Sequence, residues 1–158
     1  MRRKAVKRPA LNGEILMDRI DKILNHDLFL YHLGRNNAAE ADRRFCRHGM
    51  VHFLDVARIG TIIALEEGLK INREWIYAAA LLHDCGKHEQ YEMGTPHEQA
   101  SARIAPEILK ACGFNDEETG VIVTAISRHR DPEAAKEKNL NGILYRADKA
   151  SRACFACD

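Results

Sequence analysis

Apolar residues recur every three to four positions along almost the whole chain, which is the period of an amphipathic helix and not of a strand. Leu16, Ile20, Ile23 and Leu24 form one stripe that Leu28 and Tyr31 continue, so residues 13–33 read as helix with a break at Asn25 or His26. Asn37 is placed to cap a long helix through Phe45, His52, Val56, Ile59 and Ile63. It stops at Gly68, a residue suited to the left-handed position after a helix. Asn72 caps the next helix, with Glu74 in its first turn and Trp75, Ala78, Ala79, Leu82 and His83 on its inner face, ending near Gly86. Residues 89–94 read as loop. Thr95 and Pro96 start a further helix that Gly113 ends, because proline suits the first helical position. Asn115 opens one whose stripe is Ile122, Ala125, Ile126 and His129, with Pro132 just past its end, and residues 142–152 form the last. The β-favouring run from Val121 to Thr124 lies inside this helical period without alternation. The pattern therefore predicts an all-α fold, a single helical bundle.

Composition narrows the class. The chain has 158 residues, 46% hydrophobic and 30% charged, with 4 Pro and 10 Gly, which excludes disordered and collagenous chains and fits one core. No apolar run approaches the roughly 18 residues of a membrane span, and no apolar stretch that would serve as a signal peptide follows the basic N-terminus. The expected location is the cytoplasm, with no membrane partner. Arg2, Arg3, Lys4, Lys7 and Arg8 supply five of the 24 basic residues, which leaves 19 against 23 acidic ones beyond them, a net −4. Residues 1–12 thus read as a basic, solvated, flexible tail on a mildly acidic domain over 13–158, and nucleic acid is not the expected partner. The five cysteines are odd in number and scattered through helix-like sequence, which suits reduced thiols. Cys154 and Cys157 form half of a zinc motif with no second half following, so they read as free thiols. Trp75, with Phe45 and Phe53, reads as core.

Several polar side chains interrupt the apolar stripes. His52 stands between Phe45 and Val56, His83 follows Ala79 and Ala80, His129 continues the stripe from Ile122, and Asp148 shares a face with Leu144 and Ala147. A buried histidine is satisfied by one hydrogen bond, so no single one of these decides anything. A buried carboxylate is more demanding, costing several kcal/mol unless a cation or good hydrogen bonds compensate it. Asp84 and Asp148 therefore need positive partners, and a metal ion completed by neutral imidazoles supplies them.

The run Leu81-Leu82-His83-Asp84-Cys85-Gly86-Lys87, with His52-Phe53-Leu54-Asp55-Val56-Ala57 before it and Ala147-Asp148-Lys149 after it, resembles the HD-domain superfamily of metal-dependent phosphohydrolases. The resemblance covers about residues 45–152 and leaves the first 44 outside. It implies that the metal site lies in the core of the bundle. It extends to His97, in Pro96-His97-Glu98-Gln99-Ala100-Ser101-Ala102, and to His129, in Ala125-Ile126-Ser127-Arg128-His129, which are similar to second-metal positions of binuclear members. Six ligands would fill an octahedral ion and leave no place for substrate, whereas two ions sharing Asp84 keep open positions. The implied arrangement has His52, His83, Asp84 and Asp148 on one ion and Asp84, His97 and His129 on the other. The nitrogen-rich set suits two divalent transition-metal ions, iron first, with manganese or another first-row metal as alternatives.

Within the superfamily, Leu144-Tyr145-Arg146-Ala147-Asp148-Lys149 and the ligand spacing look most like the binuclear proteins that cleave diadenosine tetraphosphate symmetrically. Cyclic-di-GMP phosphodiesterases share the pattern from His83 to Lys87, but carry a Gly-Tyr-Pro segment that residues 130–142 lack. Nucleotidases of the superfamily place Glu where this chain has Lys87. Diiron oxygenases use a similar six-ligand set, so the ligands alone leave the reaction open, and a non-catalytic metal- or nucleotide-responsive module is the third reading. The implied reaction is hydrolysis of a nucleotide phosphoanhydride or phosphoester by a metal-bridging hydroxide, with Asp84 and Lys87 in catalytic roles. Lys87, His48, Arg128 and Arg152 are the expected phosphate contacts. His26, His32 and His88 match no motif and read as surface residues. A homodimer is compatible with this reading.

Overall fold

A computed structural model describes residues 17–44 and 46–152, and every regular element among them is helical, as the periodicity predicts. The tail, Leu16, Phe45 and the Cys154 and Cys157 pair lie outside the described residues. α1 (Asp18–Leu24) and α2 (Asp27–Ala39) meet at the expected break, where His26 caps α2 by accepting from the Leu28 N–H at 3.2 Å. α3 (Met50–Glu66) and α4 (Arg73–Leu82) follow, then α5 (Lys87–Met93), α6 (His97–Ala111) and α7 (Asp116–Arg128). A short 3-10 helix (Pro132–Lys136) leads into α8 (Leu140–Ala150). Asn72, Asn115 and Asn139 each accept from a first-turn amide of α4, α7 and α8, and Asn115 and Glu118 satisfy each other's backbone reciprocally.

α4 is the centre of the bundle. Its residues Ala78 to Leu82 are fully buried, and α1, α3, α6, α7 and α8 all pack against it. A helix that is apolar around its whole circumference has to be surrounded, which is the physical content of the run Ala78-Ala79-Ala80-Leu81-Leu82. Phe53 of α3 and Phe29 of α2 meet at 6.5 Å beside it, and burial of each such side chain contributes about 1.5–3 kcal/mol. Trp75 is half-buried against this core, with its indole N–H donating to Glu118 at 3.0 Å. No helix among the described residues is long and apolar enough to cross a membrane.

Three sequence expectations are corrected. The long helix expected from Asn37 is two helices, because α2 ends at Ala39 and α3 begins at Met50, with Asn37 inside α2. Glu40 breaks the run by turning its carboxylate onto His48, accepting from the backbone N–H at 2.6 Å and from Nδ1 at 2.5 Å, and Cys46 takes a φ of 56° in between. Residues 89–93 are not loop but most of α5, with Gly94 just past its end, and the buried Lys87, His88 and Glu89 leave it without an apolar stripe. The last helix starts two residues before Gly142 and ends at Ala150. Gly142 is there for space, since a Cβ at that position would lie 1.9 Å from the Glu137 carbonyl oxygen.

Candidate metal centre

All six sequence-predicted ligands lie within about one turn of a helix end. His52 is in the first turn of α3, His83 and Asp84 follow the last turn of α4, His97 opens α6, His129 closes α7, and Asp148 is in the last turn of α8. Three of these ends are C-termini, whose partial negative charge favours a cation.

The six separate into two donor sets that share one carboxylate. In the first, His52 Nε2, His83 Nε2, Asp84 Oδ2 and Asp148 Oδ1 lie 3.2–3.6 Å apart along the edges of a small polyhedron. In the second, His97 Nε2 is 3.2 Å and His129 Nε2 3.5 Å from Asp84 Oδ1, and the two nitrogens are 3.1 Å apart. Donors about 2.1 Å from a shared ion stand roughly 3.0 to 3.4 Å from one another in octahedral or tetrahedral geometry, so both sets have the span an ion requires.

The hydrogen-bond pattern fixes the tautomers the same way. His83 Nδ1–H donates to the Ala80 carbonyl at 2.7 Å and His129 Nδ1–H to the Ile126 carbonyl at 2.6 Å. His97 Nδ1–H donates to Gln90 Oε1 at 2.6 Å, and His52 Nδ1 is 3.3 Å from the Ser151 hydroxyl, which itself donates to the Asp148 carbonyl. With every Nδ1 proton engaged, the four Nε2 atoms converge on the carboxylates, held by the outer hydrogen bonds that orient histidine ligands. Asp84 Oδ1 and Asp148 Oδ1 are buried and accept no hydrogen bond, although an orphaned buried carboxylate oxygen costs free energy. A cation between these donors would satisfy them, so the residues present fit a divalent metal.

The electrostatics agree. Burial alone would raise the Asp84 carboxyl, yet His83 and the other imidazoles hold it well below its ordinary value, and His52 and His83 do the same for Asp148. Burial opposes protonation of His83, but Asp84 and Asp148 raise it to about 10, so a proton is held where a cation fits. His97 goes the other way. Burial, with Lys87, His129 and Arg130 nearby, pushes it down to about 3 and leaves it a neutral donor.

The expected phosphate contacts divide. Lys87 is buried at the start of α5, with Nζ 3.2 Å from His97 Nδ1, and burial lowers its pKa. Since Gln90 takes the His97 Nδ1 proton, the ammonium has no lone pair to bond there. His48 is buried, bonded to Glu40 through Nδ1, with Nε2 3.9 Å from Asp84 Oδ2. Arg152 is half-buried and near enough to act on Lys87. Arg128 is committed elsewhere, to Asp131 at 2.8 Å and Glu137 at 2.5 Å, which makes it a structural tie in place of the expected clamp.

His32 and His88, expected at the surface, are buried and stacked at 5.1 Å with a 2.8 Å contact between Nδ1 and Nε2. They face each other because α5 is a helix packed on α2. The sequence reading also missed Glu40 and Asn36. Glu40 holds His48 and accepts from the Tyr91 hydroxyl at 2.7 Å. Asn36 is fully buried, donates to the Asp84 carbonyl at 2.8 Å and accepts from the His88 N–H at 2.8 Å. Both come from α2 or its end, before the stretch that carries the motif, and neither leaves a spacing signature.

A model of the HD domain matches residues 49–153 of the chain. A protein of Clostridium beijerinckii, described as an uncharacterized protein, is 50% identical over 141 residues, covering 89% of this chain and 88% of that one. A solved structure, a predicted HD superfamily hydrolase from an uncultured Thermotogales bacterium, is similar with a TM-score of 0.59 and 27% identity. That similarity covers 76% of this chain and 66% of the other.

Proposed function

The chain belongs to the HD-domain family, and from that premise we propose that it hydrolyses a phosphoanhydride or phosphoester of a nucleotide-like substrate, with dinucleoside polyphosphates the first to test. One observation carries the reading of a two-ion site. The two oxygens of Asp84 face different donor sets, and Oδ1 is buried without a hydrogen bond. In this reading His52, His83, Asp84 and Asp148 hold one divalent ion, and Asp84, His97 and His129 the other. Iron is the first candidate, given four imidazoles against two carboxylates. When bound, two such ions supply Lewis acidity that activates water and offsets phosphate charge.

The chain's own residues do the rest. The helix-end carbonyls of Ala80 and Ile126 fix two ligand histidines, so the donors are preorganised. Lys87 brings an ammonium beside His97, where it neutralises a phosphate oxygen without displacing a ligand. His48, clamped by Glu40, presents its second nitrogen toward Asp84, within reach of a substrate oxygen seated over that carboxylate.

The test pairs elemental analysis of protein purified without added metal with a turnover screen over dinucleoside polyphosphates, mononucleotides and cyclic dinucleotides. About two transition-metal ions per chain and release of a phosphorylated product are expected. Oxygen consumption without phosphate chemistry would move the assignment to a diiron oxygenase. A metal-loaded protein that binds nucleotide without turning it over would make it a responsive interaction module.

A further inference from the structure

Arg130 follows the ligand His129 and belongs to no motif quoted above. It is exposed, and with Gln90, Gly94, Pro96, His97 and Glu98 it lines a cavity of about 360 Å³. His97 belongs to the second donor set, so this cavity borders that set directly. Lys87 adjoins the same histidine, with Nζ 3.2 Å from its Nδ1.

Among the described residues, Lys87, Arg130 and Arg152 make no ion pair with an acid. Other arginines do so readily: Arg128 with Asp131 and Glu137, Arg19 with Glu74 and Glu118, and Arg35 with Glu92. Glu98 is the one acid on the cavity wall, 3.7 Å from His97 Nδ1 and partly exposed. Arg130, with no ion-pair partner, and Lys87, whose charge Asp84 and Glu40 offset in part, therefore stand beside a site that fits divalent cations, on a domain whose remaining charge is net acidic. Like charges gathered in this way repel one another unless an anion of several charges lies among them. One phosphoryl group at the metal centre accounts for Lys87, but it does not account for Arg130 on the cavity wall.

We infer that Arg130 is a specificity-determining residue that, with Lys87, binds the phosphate next to the one being cleaved. The favoured substrates are then phosphoanhydrides, such as nucleoside triphosphates and dinucleoside polyphosphates, over phosphomonoesters. The inference rests on the phosphohydrolase reading for its catalytic arm only.

The experiment measures kcat and KM of the metal-loaded protein on a nucleoside triphosphate, a dinucleoside tetraphosphate and a nucleoside monophosphate, for wild type, Arg130→Ala and Arg130→Lys. Binding of inorganic tripolyphosphate and of orthophosphate is measured in parallel by calorimetry. Arg130→Ala should lower the ratio of kcat/KM on triphosphate to that on monophosphate by about tenfold to a hundredfold, mainly through KM, as expected for one charge-assisted contact. Arg130→Lys should recover part of it. Tripolyphosphate should weaken by a similar factor in Arg130→Ala, and more than orthophosphate does. An unchanged ratio together with unchanged tripolyphosphate binding overturns the inference. If wild type turns over none of the three nucleotides, the phosphohydrolase reading fails, and the tripolyphosphate arm still decides whether Arg130 holds a phosphate chain.

Discussion

Asp84 meets its surroundings through three oxygens at once. Oδ2 faces His52 and His83, Oδ1 faces His97 and His129, and the backbone carbonyl accepts from Asn36. Asp84→Ala should therefore strip both metals, whereas His129→Ala should lose mainly one, as read by elemental analysis of the purified variants. Retention of metal and turnover in Asp84→Ala would make the motif structural. Lys87 makes a separate prediction, because a protonated lysine is not a ligand. Lys87→Ala should keep the metal content and lose roughly ten- to a thousandfold in kcat/KM on a phosphorylated substrate, with Lys87→Arg regaining part. Wild-type turnover in Lys87→Ala would reduce the lysine to a helix-end charge. His32 predicts a pH effect. Burial, and His88 beside it, push His32 down to about 4 from an ordinary 6.5, so the folded state keeps it neutral. A depressed folded value gives stability that is present above pH 6.5 and lost as the pH falls toward 4. Melting temperatures over that window should fall less steeply in His32→Asn than in wild type.

At the scale of elements, the site depends on helix ends being held at fixed separations. Gly86 lets the start of α5 lie against α6. A Cβ there would come within 2.7 Å of Ala100 Cβ and 2.8 Å of the Ser101 backbone nitrogen, and the Gly86 N–H donates to Ser101 at 2.9 Å. Gly86→Ala should push α6 away, cost about 1–3 kcal/mol in denaturant unfolding, and reduce metal content through His97 more than through His52. Legibility from sequence follows the same division. α4 and α7 were readable because an apolar period and an asparagine cap coincide. α5 was not, since its inner face is Lys87, His88 and Glu89, and a helix that buries charge toward a site has no apolar stripe to count. The six candidate ligands were readable as polar interruptions of apolar stripes, and the family resemblance paired them. Glu40 and Asn36 were not, because their partners are a distant imidazole and backbone groups, contacts that only the tertiary packing of α2 creates.

Taken as one object, the bundle gathers four imidazoles and two carboxylates at its core, and a cation binding there binds the folded state alone. Chelation should therefore lower the melting temperature, and re-addition of metal should restore it. A ligand at about a hundredfold over its Kd adds about 2.7 kcal/mol, or roughly 5–10 °C for a domain of this size. An unchanged melting curve after exhaustive chelation would mean that hydrogen bonds alone satisfy the cluster. The split of Asp84 between two donor sets carries this further. If both donor sets are filled as proposed, the first ion would immobilise that carboxylate, and the second would find the opposite oxygen already oriented. The ordering entropy is thus lost once for two binding events, and occupancy should rise sigmoidally with free metal, so that singly loaded molecules are scarce at every concentration.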